Sequence, residues 1–330
     1  MMKQTFINGL GRKASVVAFG AGNVDFSNTT ESHEMLDMYF SLGGNLIDTA
    51  NIYGKWLESG TNESEIIIGE WLDRKINVEK AMLRSDVIIS TKCGHFDLDA
   101  TDVSRLNEKC VRDDLEESLA ALKTDYVDIY WLHRDSTELP VESILEPLIK
   151  LKKEGKIKLF GLSNWTTKRI IEAQNYFVKE NSDGFFGVQN RWGYASMNPE
   201  GTEDFTLVAM TQEEYEWHLG SGFAAMPYSA MAKGYFTKLS NGPKSEMNPK
   251  LLNYYDNQLN DLRLNAAREV SQKQGRPISQ ISLAFLLNQP FPVFPIVRFA
   301  NKEQLTDAVE ASSIILTDDE IRILSQGVLF

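Results

Sequence analysis

The sequence predicts a (β/α)8 TIM barrel, and three observations predict it. Short apolar runs alternate with amphipathic helical stretches eight times, no Pro- or Gly-rich linker separates the repeats, and 330 residues is a length that barrels of this class reach as a single domain. Residues 1–330 are therefore expected to form one barrel domain rather than an open doubly wound sheet.

The first element is an N-terminal hairpin, because Asn8-Gly9 stands between short apolar runs in TFINGLGRKASVVAFG and reads as a tight turn. Strands are expected at SVVAF (15–19), NLID (45–48), VIIST (87–91), YVDIYWL (126–132), KLFGLS (158–163), FFGVQ (185–189), GFAAMP (222–227) and FPVFPIV (291–297). Between them, ESHEMLDMYFSLGG ends in a Gly-Gly stop, and NEKCVRDDLEESLAALK sets Val111, Leu115, Leu119 and Leu122 on one helical face. LRLNAAREVSQKQG and SQISLAFLLNQ supply extra helices near the C-terminus. Three connections, 93–106, 191–211 and 235–260, exceed plain turns and carry Trp192, Tyr194, Tyr254 and Tyr255. Long loops at the C-terminal face of a barrel build its substrate site.

Composition narrows the partners. Acidic residues outnumber basic ones 46 to 34, the net charge is −12, and no Lys/Arg cluster interrupts that balance. Nucleic acid and anionic membranes are therefore not expected ligands. The start, MMKQTFINGL, lacks an apolar core followed by a cleavage site, and no apolar stretch approaches the ~18 residues of a membrane helix. A soluble, cytoplasmic protein is expected. Cys93 and Cys110 are too few for a disulfide framework, and His33, His95, His133 and His218 have no metal-ligand spacing, so no metal is expected.

Catalytic groups in such a barrel follow the C-terminal ends of strands. NLIDTANIYG ends its strand at Asp48 and reaches Tyr53 five residues later; VIISTK ends at Lys92, and IYWLH at His133. Burying a carboxylate at the end of an apolar strand costs several kcal/mol unless it is paired, and Lys92 on the next strand is the partner. Singly, each has an ordinary role as a cap, a packing residue, a solvated cation or a core histidine. On three neighbouring strands they converge on one rim, and together they form a proton-donor unit. A free tyrosine, with a pKa of about 10, is a poor acid at neutral pH, and a nearby lysine cation stabilises its phenolate at ~1.4 kcal/mol per unit of lowering. Asp48 would keep that lysine charged, and His133 would orient a carbonyl oxygen. The set suits a reaction in which hydride reaches a carbonyl carbon and the developing alkoxide is protonated.

NLIDTANIYG, ISTK, YWLHRD and GLSNW together resemble the aldo-keto reductases, from about residue 10 to about 312. The resemblance implies a barrel that binds an extended nicotinamide cofactor without a dinucleotide-binding fold, and GAGNVD (20–25) and GLGRKA (9–14) indeed fail the G-x-G-x-x-G pattern. It implies Tyr53 as general acid, tuned by Lys92 and Asp48, with His133 on the substrate carbonyl. Relatives that reduce a steroid carbon–carbon double bond carry Glu at the His133 position, so carbonyl chemistry is implied. Gly22 and Asn23 would line the nicotinamide loop, and Ser163, Asn164 and Gln189 would hold the carboxamide. Tyr228 would stack on the ring, and Ser229, Met231, Lys233 and Gly234 would meet the pyrophosphate. PIVRFANKEQLTDAVEA resembles the stretch that holds the 2′-phosphate, with Arg298 as its basic residue, Gln304 and Asp307 beside it, and Phe299 and Ala308 as departures. A guanidinium suits a phosphate dianion, which favours NADP(H) and leaves NAD(H) open.

The rim after His133 is Arg134-Asp135 where many relatives that reduce bulky carbonyls carry Trp, which points to a polar substrate such as a sugar or hydroxy-aldehyde. Trp56, Phe96, Trp165 and Trp192 could stack on a sugar ring or an arene. The expectation is a small-molecule carbonyl or alcohol substrate and a monomer or small homo-oligomer. Two other readings stay open: a non-catalytic, cofactor-sensing binding subunit, and an aldolase in which Lys92 forms a Schiff base.

Overall fold

In the computed structural model, which describes residues 1–22, 27–181, 184–202 and 204–326, all eight expected runs lie in one parallel sheet. An antiparallel hairpin of β1 (Gln4–Ile7) and β2 (Arg12–Ser15) precedes it. The sheet contains β3 (Ala18–Gly20), β4 (Leu46–Asp48), β5 (Ile88–Cys93), β6 (Val127–Leu132), β7 (Ile157–Ser163), β8 (Gly187–Gln189), β9 (Ala224–Ala225) and β10 (Ile296–Val297). Each strand lies beside its predecessor, and β10 returns to pair with β3. The ring closes through Phe294 N–H to Ala225 O at 2.8 Å and Ile296 N–H to Pro227 O at 2.9 Å. Closure removes the unpaired sheet edges.

The first run is divided where one strand was expected. Ser15 ends the hairpin, Val16 and Val17 bend, and the barrel strand begins at Ala18. The turn also differs from a two-residue Asn-Gly turn. Asn8–Leu10 form one 3-10 turn, and the left-handed position, φ 65°, falls on Gly11. Gly9 is needed for close approach instead, since a Cβ there would lie 2.4 Å from Leu159 Cδ2. The hairpin thereby stoppers the N-terminal mouth: Ile7 and Ala14 pack with Ala18, Leu46, Ile88, Ile129, Trp131 and Phe294 inside the barrel.

Side-chain alternation explains why this interior changes character with height. On β4, Leu46 faces inward low in the barrel and Asp48 above it; on β5 the order is Ile88, Ser90, Lys92; on β6 it is Ile129, Trp131, then His133 beyond the strand. Trp131 fits because β7 has Gly161 beside it, where a Cβ would meet Trp131 Cζ3 at 2.3 Å. Apolar residues fill the lower layers, and the polar ones share the C-terminal rim. Outward residues such as Ile47, Ile89, Tyr130 and Phe160 pack under the helical layer.

Helices α1 (Thr29–Ser41), α2 (Glu63–Asp73), α3 (Glu108–Leu122), α4 (Val141–Lys153), α5 (Thr167–Lys179) and α6 (Gln212–Ser221) occupy the successive connections. Asn28, Asn107 and Thr211 cap α1, α3 and α6 by accepting from backbone N–H groups of the first turn. The segments 93–106 and 191–211 are irregular, as expected, but 235–260 is not a loop. It folds as α7 (Tyr235–Asn241), α8 (Pro249–Tyr255) and the start of α9 (Gln258–Gln274). Asn248 caps α8 with Pro249 at its first position, and Tyr235, Phe236, Leu239, Leu251 and Tyr255 bury the apolar faces. α10 (Ile278–Leu287), α11 (Lys302–Ala311) and α12 (Asp318–Ser325) complete the layer. Among the described residues no helix is long and apolar enough to cross a membrane.

One buried acid sits between the barrel and this layer. Glu65 of α2 accepts from Thr91 Oγ1 at 2.5 Å and Asn62 Nδ2 at 2.7 Å. Burial, reinforced by the Glu117 charge, outweighs these bonds and raises its pKa to about 7. A folded carboxyl that holds its proton above the unfolded value gives stability that is full below about pH 4.5 and lost as pH rises toward 7. Glu65→Gln, which keeps the hydrogen bonds without the charge, is expected to gain on the order of 2 kcal/mol relative to wild type between pH 5 and 8. Urea unfolding across that range checks this, and parallel stability curves for the two proteins contradict it.

Candidate active site

Asp48 lies at the centre of the rim, and its carboxylate accepts three hydrogen bonds. Ser90 Oγ donates to Oδ1 at 2.7 Å, Gln189 Nε2 to Oδ1 at 3.0 Å, and Lys92 Nζ to Oδ2 at 2.6 Å. Both members of the Asp48–Lys92 pair are only 2% exposed. Lys92 also donates to Thr49 O at 2.6 Å. Burial opposes its charge, but the Asp48 carboxylate and the Tyr53 side chain outweigh burial and raise its pKa. Below, Trp131 Nε1 donates to Ser90 Oγ at 2.8 Å, so the floor of the rim is hydrogen-bonded down to the packed core.

Tyr53 is carried on the turn after β4, with the Lys92 ammonium 4.9 Å from its ring centroid. Several bonds immobilise that turn. Asn51 Nδ2 donates to Glu117 Oε2 on α3 at 3.0 Å, while Lys55 Nζ bridges Asn51 Oδ1 at 2.8 Å and Glu117 Oε2 at 2.6 Å. Ser64 N–H donates to Tyr53 O at 3.2 Å. Gly22 borders the ring directly, since a Cβ there would lie 3.0 Å from Tyr53 Cε2. Asn23 lies outside the described residues.

His133 stands edge-on to Tyr53, ring centroids 5.8 Å apart, and 5.0 Å from His95. Burial first, and then the charges of Arg134, His95 and Lys92, hold the His133 pKa well below its ordinary value, so the ring is neutral at pH 7. Its Nδ1 is buried with no hydrogen-bond partner among the described residues. His95 is likewise pushed down, to about 4, by burial and Arg134.

The charged rim is occupied by its own contacts. Arg134 donates Nε to Thr206 Oγ1 at 2.8 Å and Nη2 to Asp204 Oδ2 at 3.2 Å, clamping the 191–211 loop onto the end of β6. Asp135 takes two bonds from Arg169, 3.0 and 3.1 Å. Both charges of the Arg134-Asp135 pair are thus engaged by partners within the protein. Trp165 is also corrected: it is 0% exposed, donates Nε1 to Arg134 O and lies under the Arg169 guanidinium, a packing residue rather than a pocket wall. Trp192 is buried with Tyr215 and Phe291. Trp56, edge-on to Tyr53 at 6.1 Å, and Phe96, 4.1 Å from His95, do border the rim.

The other expected ligand residues divide into two groups. Ser163, Asn164, Gln189 and Tyr228 come together. Ser163 Oγ donates to Gln189 O, Asn164 Nδ2 donates to His133 O and Ser163 Oγ, and Tyr228 OH donates to Asn164 Oδ1 at 2.7 Å. Asn164 sits at φ 60°, a left-handed position its short amide tolerates. Ser229, Met231, Lys233 and Gly234 follow on the β9 exit, with Ser229, Lys233 and Gly234 left-handed. At the far end Arg298 is exposed and makes no ion pair among the described residues. Gln304 is engaged in the α11 cap, accepting from Ala300 N–H, and Asp307 accepts from Gln280 of α10 at 2.8 Å, facing the helical layer rather than the rim. Phe299 packs against Phe19 and Tyr39. Ser90 and the Asn51–Lys55–Glu117 clamp were not anticipated. Ser90 had a signal, being two residues before Lys92 on one strand; Glu117 had none, since only folding brings α3 beneath the Tyr53 turn. No cluster of metal-ligating side chains occurs among the described residues.

With this geometry in place, comparison with known proteins is direct. The model of the Aldo/keto reductase family matches residues 16–327. An aryl-alcohol dehydrogenase of Pestalotiopsis microspora is 28% identical over 300 residues, covering 90% of this chain and 72% of its own. A norsolorinic acid reductase of Emericella nidulans is 26% identical over 307 residues, covering 90% and 71%. The fold is also that of a thermostable aldo-keto reductase solved with the inhibitor epalrestat (TM-score 0.71, 22% identity, 98% of this chain and 99% of that one). An aldo-keto reductase from Klebsiella pneumoniae solved with NADPH matches similarly (TM-score 0.70, 21% identity, 99% and 95%). The chain belongs to the aldo/keto reductase family and is an NAD(P)H-dependent oxidoreductase.

Proposed function

We propose that this oxidoreductase interconverts an aromatic carbonyl and its alcohol with NADP(H), using Tyr53 as the proton donor and acceptor. The observation that carries this reading is the buried Asp48–Lys92 ion pair beside the Tyr53 ring, with neutral His133 across from it.

The residues present fit a nicotinamide dinucleotide. Gly22 lets the Tyr53 ring approach its backbone closely, Gln189 Oε1 accepts no hydrogen bond among the described residues, and Arg298 is an exposed cation without an acidic partner among the described residues. Ser163, Asn164 and Gln189 would hold the carboxamide, the Tyr228 face the ring, and Arg298 the 2′-phosphate. When bound, such a group supplies or accepts hydride at the substrate carbon.

The chain's own residues then manage the proton. Asp48 keeps Lys92 charged in a site that would otherwise discharge it, and the ammonium stabilises negative charge on the Tyr53 oxygen as its proton leaves. A proton on Nε2 of neutral His133 leaves only a lone pair at the buried Nδ1 and gives the ring one N–H with which to hold the carbonyl oxygen. The Asn51–Lys55–Glu117 clamp and Gly22 fix the turn and ring, so the donor is oriented before substrate arrives. Because Arg134 and Asp135 are internally paired, the ring neighbours left at the rim are Trp56 and Phe96, and these support an arene-bearing substrate over a sugar. The name of the aryl-alcohol dehydrogenase relative points the same way.

Two outcomes are expected. Tyr53→Phe should lower kcat for aromatic aldehydes by at least ~10²-fold while NADPH affinity stays within about twofold, followed by NADPH absorbance and tryptophan quenching. Retained turnover would remove Tyr53 from the chemistry, and turnover confined to aldoses would overturn the substrate class. Arg298→Ala should weaken NADPH by roughly 10-fold or more and leave NADH nearly unchanged, as expected for one charge-assisted phosphate contact. Equal effects on both nucleotides would place the 2′-phosphate elsewhere.

A further inference from the structure

The segment that leaves β5 sets a second histidine beside His133, and the chemistry above gives it no role. Gly94 turns the chain there with φ 69°, and a Cβ on it would lie 2.4 Å from Leu106 Cδ2. Its N–H donates to Asp114 Oδ2 on α3 at 2.8 Å, and Asp114 also holds Arg105, which donates to Asp97 at 2.9 Å. The backbone is thus anchored on both sides of His95, whose ring stands in edge contact with His133, centroids 5.0 Å apart, and 4.1 Å from Phe96.

His95 Nδ1 lies 2.8 Å from Phe96 O. A carbonyl can only accept, so Nδ1 carries the proton and Nε2 keeps a lone pair. Burial and the Arg134 charge hold the ring pKa at about 4, so that lone pair is free of a proton at neutral pH. Nε2 takes no hydrogen bond among the described residues. The charged side chains of this part of the rim are engaged elsewhere: Arg134 with Asp204 and Thr206, and Arg105 with Asp97 and Asp114. An acceptor without a donor therefore stands next to the residue that holds the substrate carbonyl.

The proton chemistry occupies both lone pairs of that carbonyl oxygen, one with Tyr53 and one with His133. A hydroxyl on the carbon next to the carbonyl carbon would in solution bond back to the same oxygen, at about 2.5–3.0 Å. In the site that acceptor is taken, so the hydroxyl must find another or remain an unpaired buried donor. An oxygen that far beyond one held by His133 is within reach of the neighbouring ring. We infer that His95 is a specificity-determining residue whose Nε2 accepts a hydrogen bond from a hydroxyl on the carbon adjacent to the carbonyl carbon, in an arene the ortho hydroxyl of a 2-hydroxyaryl aldehyde or ketone. The inference rests on the carbonyl reading above and names the substituent that the rim selects: Trp56 and Phe96 border the ring, and His95 reads one edge of it.

Initial rates on 2-hydroxybenzaldehyde and 2-methoxybenzaldehyde with wild type, His95→Phe and His95→Gln test this. The quantity followed is the ratio of kcat/KM for the two aldehydes, because their electronic difference cancels when that ratio is compared between proteins. Phe keeps a ring without an acceptor and should lower the ratio roughly tenfold, and Gln, which offers an amide oxygen, should recover part of it. Wild type carries a second readout should the Phe variant not fold: in ring-nitrogen NMR of histidine-labelled protein with NADP+ bound, 2-hydroxybenzaldehyde should move the unprotonated nitrogen signal that His95→Gln removes, and 2-methoxybenzaldehyde should leave it in place. A ratio that is the same in all three proteins, including the case in which both aldehydes slow equally, overturns the inference, as does a nitrogen signal that ignores the hydroxyl. Glycolaldehyde against acetaldehyde presents the same hydroxyl without an arene, and a His95-dependent ratio for that pair alone overturns the arene assignment in favour of a hydroxy-aldehyde. Wild type that binds NADPH and reduces none of these aldehydes overturns the carbonyl reading itself.

Discussion

The buried contact between Asp48 and Lys92 is the interaction on which the rest of the rim depends. At 2.6 Å and an effective dielectric of ~20 its Coulomb energy is roughly 6 kcal/mol, while removing each ion from water costs several kcal/mol. The two terms nearly cancel, so the pair does little for net stability. Losing one partner is different: an uncompensated buried charge costs about 3–5 kcal/mol. Ser90 and Gln189 complete the carboxylate's coordination, and Trp131 fixes Ser90 from below, so the ion pair is held in one geometry by the packed barrel interior.

Everything mechanistic follows from the height at which this pair sits. Period-two alternation on eight parallel strands sends every second side chain inward, and the inward residues change from Leu, Ile and Trp below to Asp, Lys, His, Ser and Gln at the rim. The barrel is thus a packed solid with a polar end rather than a pore. Around that end, three loops are tied down by charge: the Tyr53 turn by Glu117 and Lys55, the 93–106 segment by Arg105 with Asp97 and Asp114, and the 191–211 segment by Arg134 with Asp204 and Thr206. The last of these clamps presents Phe205, 89% exposed, between two anchored residues.

Much of this was legible in the chain because strand ends are local features. Asp48, Lys92 and His133 each close an apolar run, and pairing of neighbouring parallel strands is enough to bring them together. What depended on distant partners was not legible. Arg134 and Asp135 looked like a charged rim because Asp204, 70 residues on, and Arg169 on α5 could not be foreseen as their partners. Trp165 looked like a pocket aromatic until its indole proved to be enclosed beneath Arg169. Asp307 had the right neighbours in sequence, but its turn of α11 faces Gln280. The hairpin showed a subtler error: Asn8-Gly9 marks the turn correctly, yet Gly11 takes the left-handed backbone and Gly9 serves close packing on Leu159.

The central claim is that this rim moves hydride between a nicotinamide and an aromatic carbonyl while Tyr53 handles the proton. Its most direct test is to incubate the wild-type protein with NADPH carrying deuterium at both C4 positions and an aromatic aldehyde, and to analyse the alcohol by mass spectrometry and NMR. The account predicts one deuterium on the carbinol carbon and a hydroxyl proton drawn from solvent. An alcohol without deuterium, or aldehyde left unchanged while the nucleotide is demonstrably bound, would contradict it.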